Sequence, residues 1–128
     1  MHAREIIELY AAEEAQFQHK ALLISINRTA NTLDLYNATR YAWKIDPNKA
    51  RQAEVILATD HGLIVEAFIA EQWLEATEEY FPGFPIMQGR WGFVGHSAPL
   101  ELAAHYTRKR VPDRMRKKGS SNPIRYTY

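Results

Sequence analysis

A chain of 128 residues with 46% apolar and 24% charged side chains has the make-up of one globular domain, able to bury about two-thirds of the surface its unfolded form exposes. The absence of cysteine excludes disulfides and thiolate metal sites, and no apolar run approaches the roughly 18 residues that span a bilayer. The net charge of +1 conceals a segregation: residues 108–125 hold eight basic side chains and one acid, whereas residues 1–106 hold eight basic and fourteen acidic ones. Such asymmetry points to a polyanionic partner, or more blandly to a solvated basic tail. The start, MHAREIIELYAAEE, lacks a signal-peptide pattern, so the expected setting is cytoplasmic, with no membrane partner.

In chain order, residues 3–19 have helical spacing, with Ile6, Ile7, Tyr10, Ala11, Glu14 and Phe17 on one face. ALLISIN, residues 21–27, reads as a buried strand, and Arg28 to Asn31 as a polar turn. Residues 33–45 read as one or two helical turns, ended by the turn chemistry of Asp46-Pro47-Asn48. EVILATD and LIVEAFIA flank His61-Gly62, the signature of a tight hairpin, and the second run is apolar on nearly both sides, as in a closed or sandwiched sheet. Glu71 to Glu79 reads as a turn or short helix, FPGFP (81–85) as an extended loop, and RWGFVG (90–95) as a strand. Ser97 and Pro99 look like the cap and first residues of a helix that runs to about Arg110 and stops at Val111-Pro112. Residues 113–121 form a mobile loop by composition, and IRYTY can pair as a last strand.

Three groups of residues carry functional expectations. Tyr36, Arg40 and Trp43 fall at i, i+4 and i+7, followed by Lys44; an arginine between rings suits phosphate and stacked bases. The competing reading makes both rings core anchors, with Arg40 held by an acid such as Asp34. Arg90-Trp91-Gly92-Phe93 alternates, placing Trp91 and Phe93 together on one sheet face and Arg90 on the other; the aromatic face is core or, if open, holds an unstacked base. Trp73 reads as core. Lys109, Arg110, Arg116, Lys117, Lys118 and Arg125 would neutralise phosphates, and Asn122 would read a base edge or cap the turn before Pro123. No zinc-type spacing, nucleophile elbow or phosphate loop occurs, so no metal or cofactor is implied.

Taken together, ALLISIN, YNATRYAWKI, VILATDHGLIVEAFIAEQW, RWGFVG and NPIRYTY resemble a bacterial and phage-associated domain found downstream of GIY-YIG nuclease domains of the LEM type. The resemblance covers about residues 21–128 and rests on Tyr36, Arg40, Trp43, Lys44, Gly62, Trp73, Trp91, Phe93, Gly95, Asn122, Pro123, Arg125 and Tyr126. It implies context rather than chemistry. Neither GIY nor YIG occurs here, so a nuclease partner would be a separate protein. The hairpin-and-helix pattern is also similar in outline to PUA-like modules (ASCH, EVE, SRA), which bind RNA or modified bases.

The expectation is an α+β fold: a curled, mixed or antiparallel five-stranded sheet, or a small PUA-like barrel, flanked by helices. It forms one domain, 1–128, with an N-terminal helix (1–20), a sheet core (21–107) and a basic C-terminal segment (108–128). The functional expectation is a nucleic-acid-binding module, DNA or RNA undecided, reading a modified or unstacked base. Two other classes stay open: a small phosphodiester or nucleotide enzyme with His61 or His96 as general base, and a non-catalytic oligomerisation or adaptor domain.

Overall fold

Strand alternation sorts the apolar side chains onto two cores, one on each face of a central sheet. The computed structural model describes residues 12–26, 35–41, 43–112, 115 and 123–128. Its elements are β1 (Ala21–Ser25), α1 (Leu35–Arg40), α2 (Pro47–Ala50), β2 (Val55–Asp60), β3 (Leu63–Glu75), β4 (Trp91–Ser97), α3 (Leu100–Tyr106) and β5 (Ile124–Tyr126). The sheet order is β4-β3-β2-β1-β5, with β1 and β2 parallel and the other pairs antiparallel. The fold is therefore α+β with a five-stranded mixed sheet. The barrel alternative is corrected: β4 and β5 are the two edges and do not pair with each other.

Leu22, Ile24, Ile56, Ala58, Phe68, Trp73, Phe93 and Ile124 face one side, where Ala38 of α1 and Ala50 of α2 cover them. Leu23, Val55, Leu57, Ile64 and Ala67 face the other, under Tyr106 of α3, Ala15 and Val111. Period-two alternation produces this split, and helices on both faces explain why the strands are apolar on both sides. The sheet is sandwiched, not closed.

Several boundaries differ from expectation, each because a backbone partner outweighs local preference. Residues 12–19 are not helical: the Ala15 N–H donates to the Arg110 carbonyl (2.9 Å), and the Arg110 N–H to the Glu13 carbonyl (2.8 Å). Residues 3–11, the turn at 28–31 and most of the loop at 113–121 lie outside the described residues. Asp46 does not end a segment but caps α2, its side chain accepting from the Asn48 N–H (2.9 Å). Glu71 to Glu75 extend β3 instead of turning, because they pair with β4 up to Glu75↔Trp91, with a register shift between Ala70 and Gln72. Pro99, not Ser97, precedes α3, which ends at Tyr106. Residues 108–111 then pair with the start of β3, the Ile64 N–H donating to the Lys109 carbonyl and the Arg108 N–H to the Ile64 carbonyl. The hairpin is as expected, with His61 (φ 52) and Gly62 (φ 86) both left-handed, as a two-residue type I′ turn requires.

Candidate functional site

α1 delivers Tyr36 from its first turn and Arg40 from its last residue to the β4 edge of the sheet. The Tyr36 hydroxyl accepts from the Gly95 N–H (3.0 Å), and its ring lies 6.1 Å from Phe93 and 5.7 Å from Phe68. Arg40 donates from Nε to Asn37 Oδ1 (2.9 Å). Its guanidinium carbon lies 5.0 Å from the Tyr36 ring centroid, 5.1 Å from Phe81 and 5.3 Å from Phe84. Among the described residues three rings surround Arg40; Asp34, the acid expected in the competing reading, lies outside the described residues.

Sequence spacing alone did not assign the rings of FPGFP to this corner. The Phe81 N–H donates to the Thr77 carbonyl (2.8 Å) and the Phe84 N–H to the Phe81 carbonyl (3.1 Å), a turn that puts both rings against Tyr41 at 4.9 and 4.8 Å. The Tyr41 hydroxyl closes the arrangement by donating to the Pro85 carbonyl, and burial raises its pKa. Two aromatics separated by Pro-Gly were the available signal, since a loop rich in large apolar rings has to pack somewhere.

Beyond α1 the chain straightens. Trp43 and Trp91 exchange backbone bonds (Trp43 N–H to Trp91 carbonyl 2.8 Å, the reverse 2.9 Å), so Trp43 adds a rung to the edge of β4. The Trp43 indole N–H donates to the Thr39 carbonyl (2.7 Å). Both indoles are half-buried, packed against the core on the α1 side but not sealed within it, whereas Trp73 is 3% exposed. Trp91 and Phe93 do share a face, as alternation implies. Lys44 is exposed beside Trp43, and Arg90 is half-buried just before Trp91. Tyr36, Arg40, Trp43 and Trp91 thus gather along β4, with Lys44 and Arg90 next to the two tryptophans in the chain. Glu75, paired opposite Trp91, and Glu78 and Glu79 in the adjoining turn are exposed there too, so the corner carries both signs of charge.

Of the C-terminal cations, Lys109, Arg110 and Arg125 do not join this corner. Lys109 and Arg110 lie beside Leu63 at the start of β3, and twelve residue steps of about 3.3 Å separate that end from Glu75, roughly 40 Å. Arg110 is engaged at home, with Nη1 3.5 Å from Glu14 Oε2 and Nε donating to the Ala12 carbonyl (3.2 Å). Arg125 sits on β5, the opposite edge, donating from Nε to the Met115 carbonyl (2.7 Å). Arg116, Lys117, Lys118 and Asn122 lie outside the described residues.

A second aromatic–cation group closes the β5 edge. Lys49 Nζ stands 4.4 Å from the Tyr126 ring centroid and 5.9 Å from Tyr128, whose hydroxyl donates to the Lys49 carbonyl (2.6 Å). Burial first, then the neighbouring Tyr126, pushes the Tyr128 pKa up to about 12; burial and Asp46 raise that of Tyr126. A folded-state pKa above the unfolded value of about 10 means that the native state holds protons the unfolded chain has lost. Stability is then full below about pH 10 and falls as pH rises towards 12. An alkaline titration of unfolding followed by circular dichroism should show a shallower decline for Tyr128→Phe; an unchanged slope would remove Tyr128 as its source.

Among the histidines, His96 Nδ1 lies 3.0 Å from Glu71 Oε1, with both side chains exposed. His19 Nδ1 meets the hydroxyl of fully buried Tyr106 at 2.8 Å, and His105 Nε2 meets the Gln16 carbonyl at 2.9 Å. Among the described residues no group of three or more metal-ligating side chains gathers, and no helix is long and apolar enough to cross a membrane. Comparison with known proteins finds no matching family model, curated protein or solved structure.

Proposed function

We propose that the chain is a nucleic-acid-binding module whose contact surface is the corner where α1 meets the start of β4. One observation supports the reading: two backbone bonds pair Trp43 with Trp91, both indoles are half-buried against the same core, and Lys44 and Arg90 are their neighbours in the chain. Half-buried rings keep a fixed orientation while leaving surface for an unstacked base, and flanking cations meet the phosphates. Lys109, Arg110 and Arg125 play no part at this corner. A nuclease acting alongside, as a separate protein, is implied by the resemblance alone.

The test is fluorescence anisotropy of labelled single-stranded DNA and RNA against rising salt. Affinity should fall linearly on a log–log plot, and Lys44→Ala should lower the slope by about one unit. Trp43→Ala should weaken binding by about 1–3 kcal/mol. Absence of binding, or binding indifferent to salt, refutes the proposal; a folded Trp43→Ala protein of undiminished affinity removes that ring from the surface.

A further inference from the structure

An arginine side chain carries about 2 kcal/mol of rotamer entropy, and one that grips phosphate ordinarily loses much of it on binding. Arg40 has lost much of it on folding. From the last residue of α1 its Nε donates to Asn37 Oδ1 (2.9 Å), one turn back. The rings of Tyr36, Phe81 and Phe84 surround the guanidinium, their centroids 5.0, 5.1 and 5.3 Å from its carbon. Two of these walls are fixed by the fold: Phe81 is fully buried, and the Tyr36 hydroxyl is held by the Gly95 N–H.

Bonding Nε to Asn37 leaves the far edge of the guanidinium, Nη1 and Nη2, to other partners. Among the described residues Arg40 enters no ion pair and makes no second hydrogen bond. Neither terminal nitrogen is a buried unmet atom, so both reach the surface of this half-buried side chain. That edge presents two parallel N–H donors, the geometry that matches two oxygens of one phosphate or carboxylate. Glu78 and Glu79, exposed in the turn before Phe81, do not occupy it. What favours phosphate is the adjoining surface. Trp43, three residues on, is half-buried with exposed Lys44 next to it in the chain, which suits a ligand that alternates charge with flat rings.

We infer that Arg40 is a preformed receptor for one phosphate of a nucleic-acid strand, with Nη1 and Nη2 donating to two of its non-bridging oxygens. The inference rests on the nucleic-acid reading and adds to it the group that grips the phosphate. It also separates geometry from charge: a lysine at this position keeps the cation and the rings but has no planar fork. A phosphodiester within the strand and a phosphomonoester at its end offer the same pair of oxygens.

The experiment measures two single-stranded oligomers of one sequence by anisotropy, one ending in hydroxyls and one carrying a terminal phosphate, on the unaltered protein and on Arg40→Lys. The Arg40 Nε–H resonance of ¹⁵N-labelled unaltered protein is the second readout. Arg40→Lys should weaken binding by about tenfold, the size of one charge-assisted hydrogen bond lost, at an unchanged salt slope. The bound oligomer should also shift the Nε–H signal. An equal loss on both oligomers assigns the receptor to a phosphodiester within the strand; a loss confined to the phosphorylated one assigns it to the strand end. Salt-dependent binding that Arg40→Lys leaves undiminished, with a stationary Nε–H signal, would overturn the receptor while sparing the corner. If neither oligomer binds, both ideas fail together. The resonance is read on protein without substitution, so a stationary signal overturns the receptor even if Arg40→Lys misfolds.

Discussion

Gly95→Ala is expected to destabilise the domain by about 3 kcal/mol, close to the upper range for forcing extra volume into a packed interior. A Cβ built at Gly95 would lie 1.9 Å from the Ile69 carbonyl oxygen and 2.9 Å from its carbon. Those atoms belong to β3, the strand hydrogen-bonded to β4, so the obstacle cannot swing aside as a side chain would. Relief requires the two strands to part where Ala70 faces Gly95 and the register shifts. The Gly95 N–H that donates to the Tyr36 hydroxyl would be displaced as well, which carries the strain into α1. Urea denaturation should show a lower midpoint at unchanged slope. A loss below about 1 kcal/mol would mean that the two strands separate more readily than their pairing implies.

The second large effect concerns the ring that holds the corner together. Phe81 is fully buried, touches Tyr41 and Phe84, and lies beneath the Arg40 guanidinium. It packs against bare backbone: a Cβ at Gly92 would come within 2.6 Å of the Phe81 ring and 2.7 Å of the Arg40 carbonyl. Phe81→Ala should therefore cost about 3–5 kcal/mol, the range for deleting a phenylalanine ring from a core that cannot collapse. The Arg40 contribution can be separated in a double-mutant cycle. Arg40→Ala alone and combined with Phe81→Ala should show a coupling of about 0.5–1 kcal/mol, the value for a partly exposed cation over rings. Additivity within error would show that the guanidinium merely passes by. The same cycle read on oligonucleotide affinity tells whether ordering of Arg40 by its three rings aids binding.

Much of the fold was legible in local pattern. The apolar run at residues 21–25, the His61-Gly62 hairpin, the Trp91–Ser97 strand and the pairing of IRY each depend on neighbours in sequence, through alternation and turn geometry. The convergence of Tyr36, Arg40, Trp43 and Lys44 was half legible. Helical spacing brought Tyr36 and Arg40 together, but α1 ends at Arg40 and Trp43 reaches the same place on an extended rung with Trp91. That the α1-side core would take Arg90-Trp91 into contact with this segment depends on a pairing between residues 43 and 91, which no local window contains.

What composition and spacing alone determined is the class: a cysteine-free α+β fold with buried strands and its basic residues crowded late in the chain. The tertiary structure alone decided that the sheet stays open, and that the Arg110 cation is met by Glu14 at the far end of β3 from the indoles. It decided, too, that the acidic stretch from Glu71 to Glu75 continues a strand and walls a cavity. The physical reason is the same in each case. Charge clustering and helical period are properties of segments, whereas the partner of a backbone N–H is set by which strand arrives beside it. Hydrogen bonds between strands distant in sequence outweigh the few tenths of a kcal/mol by which local preferences differ.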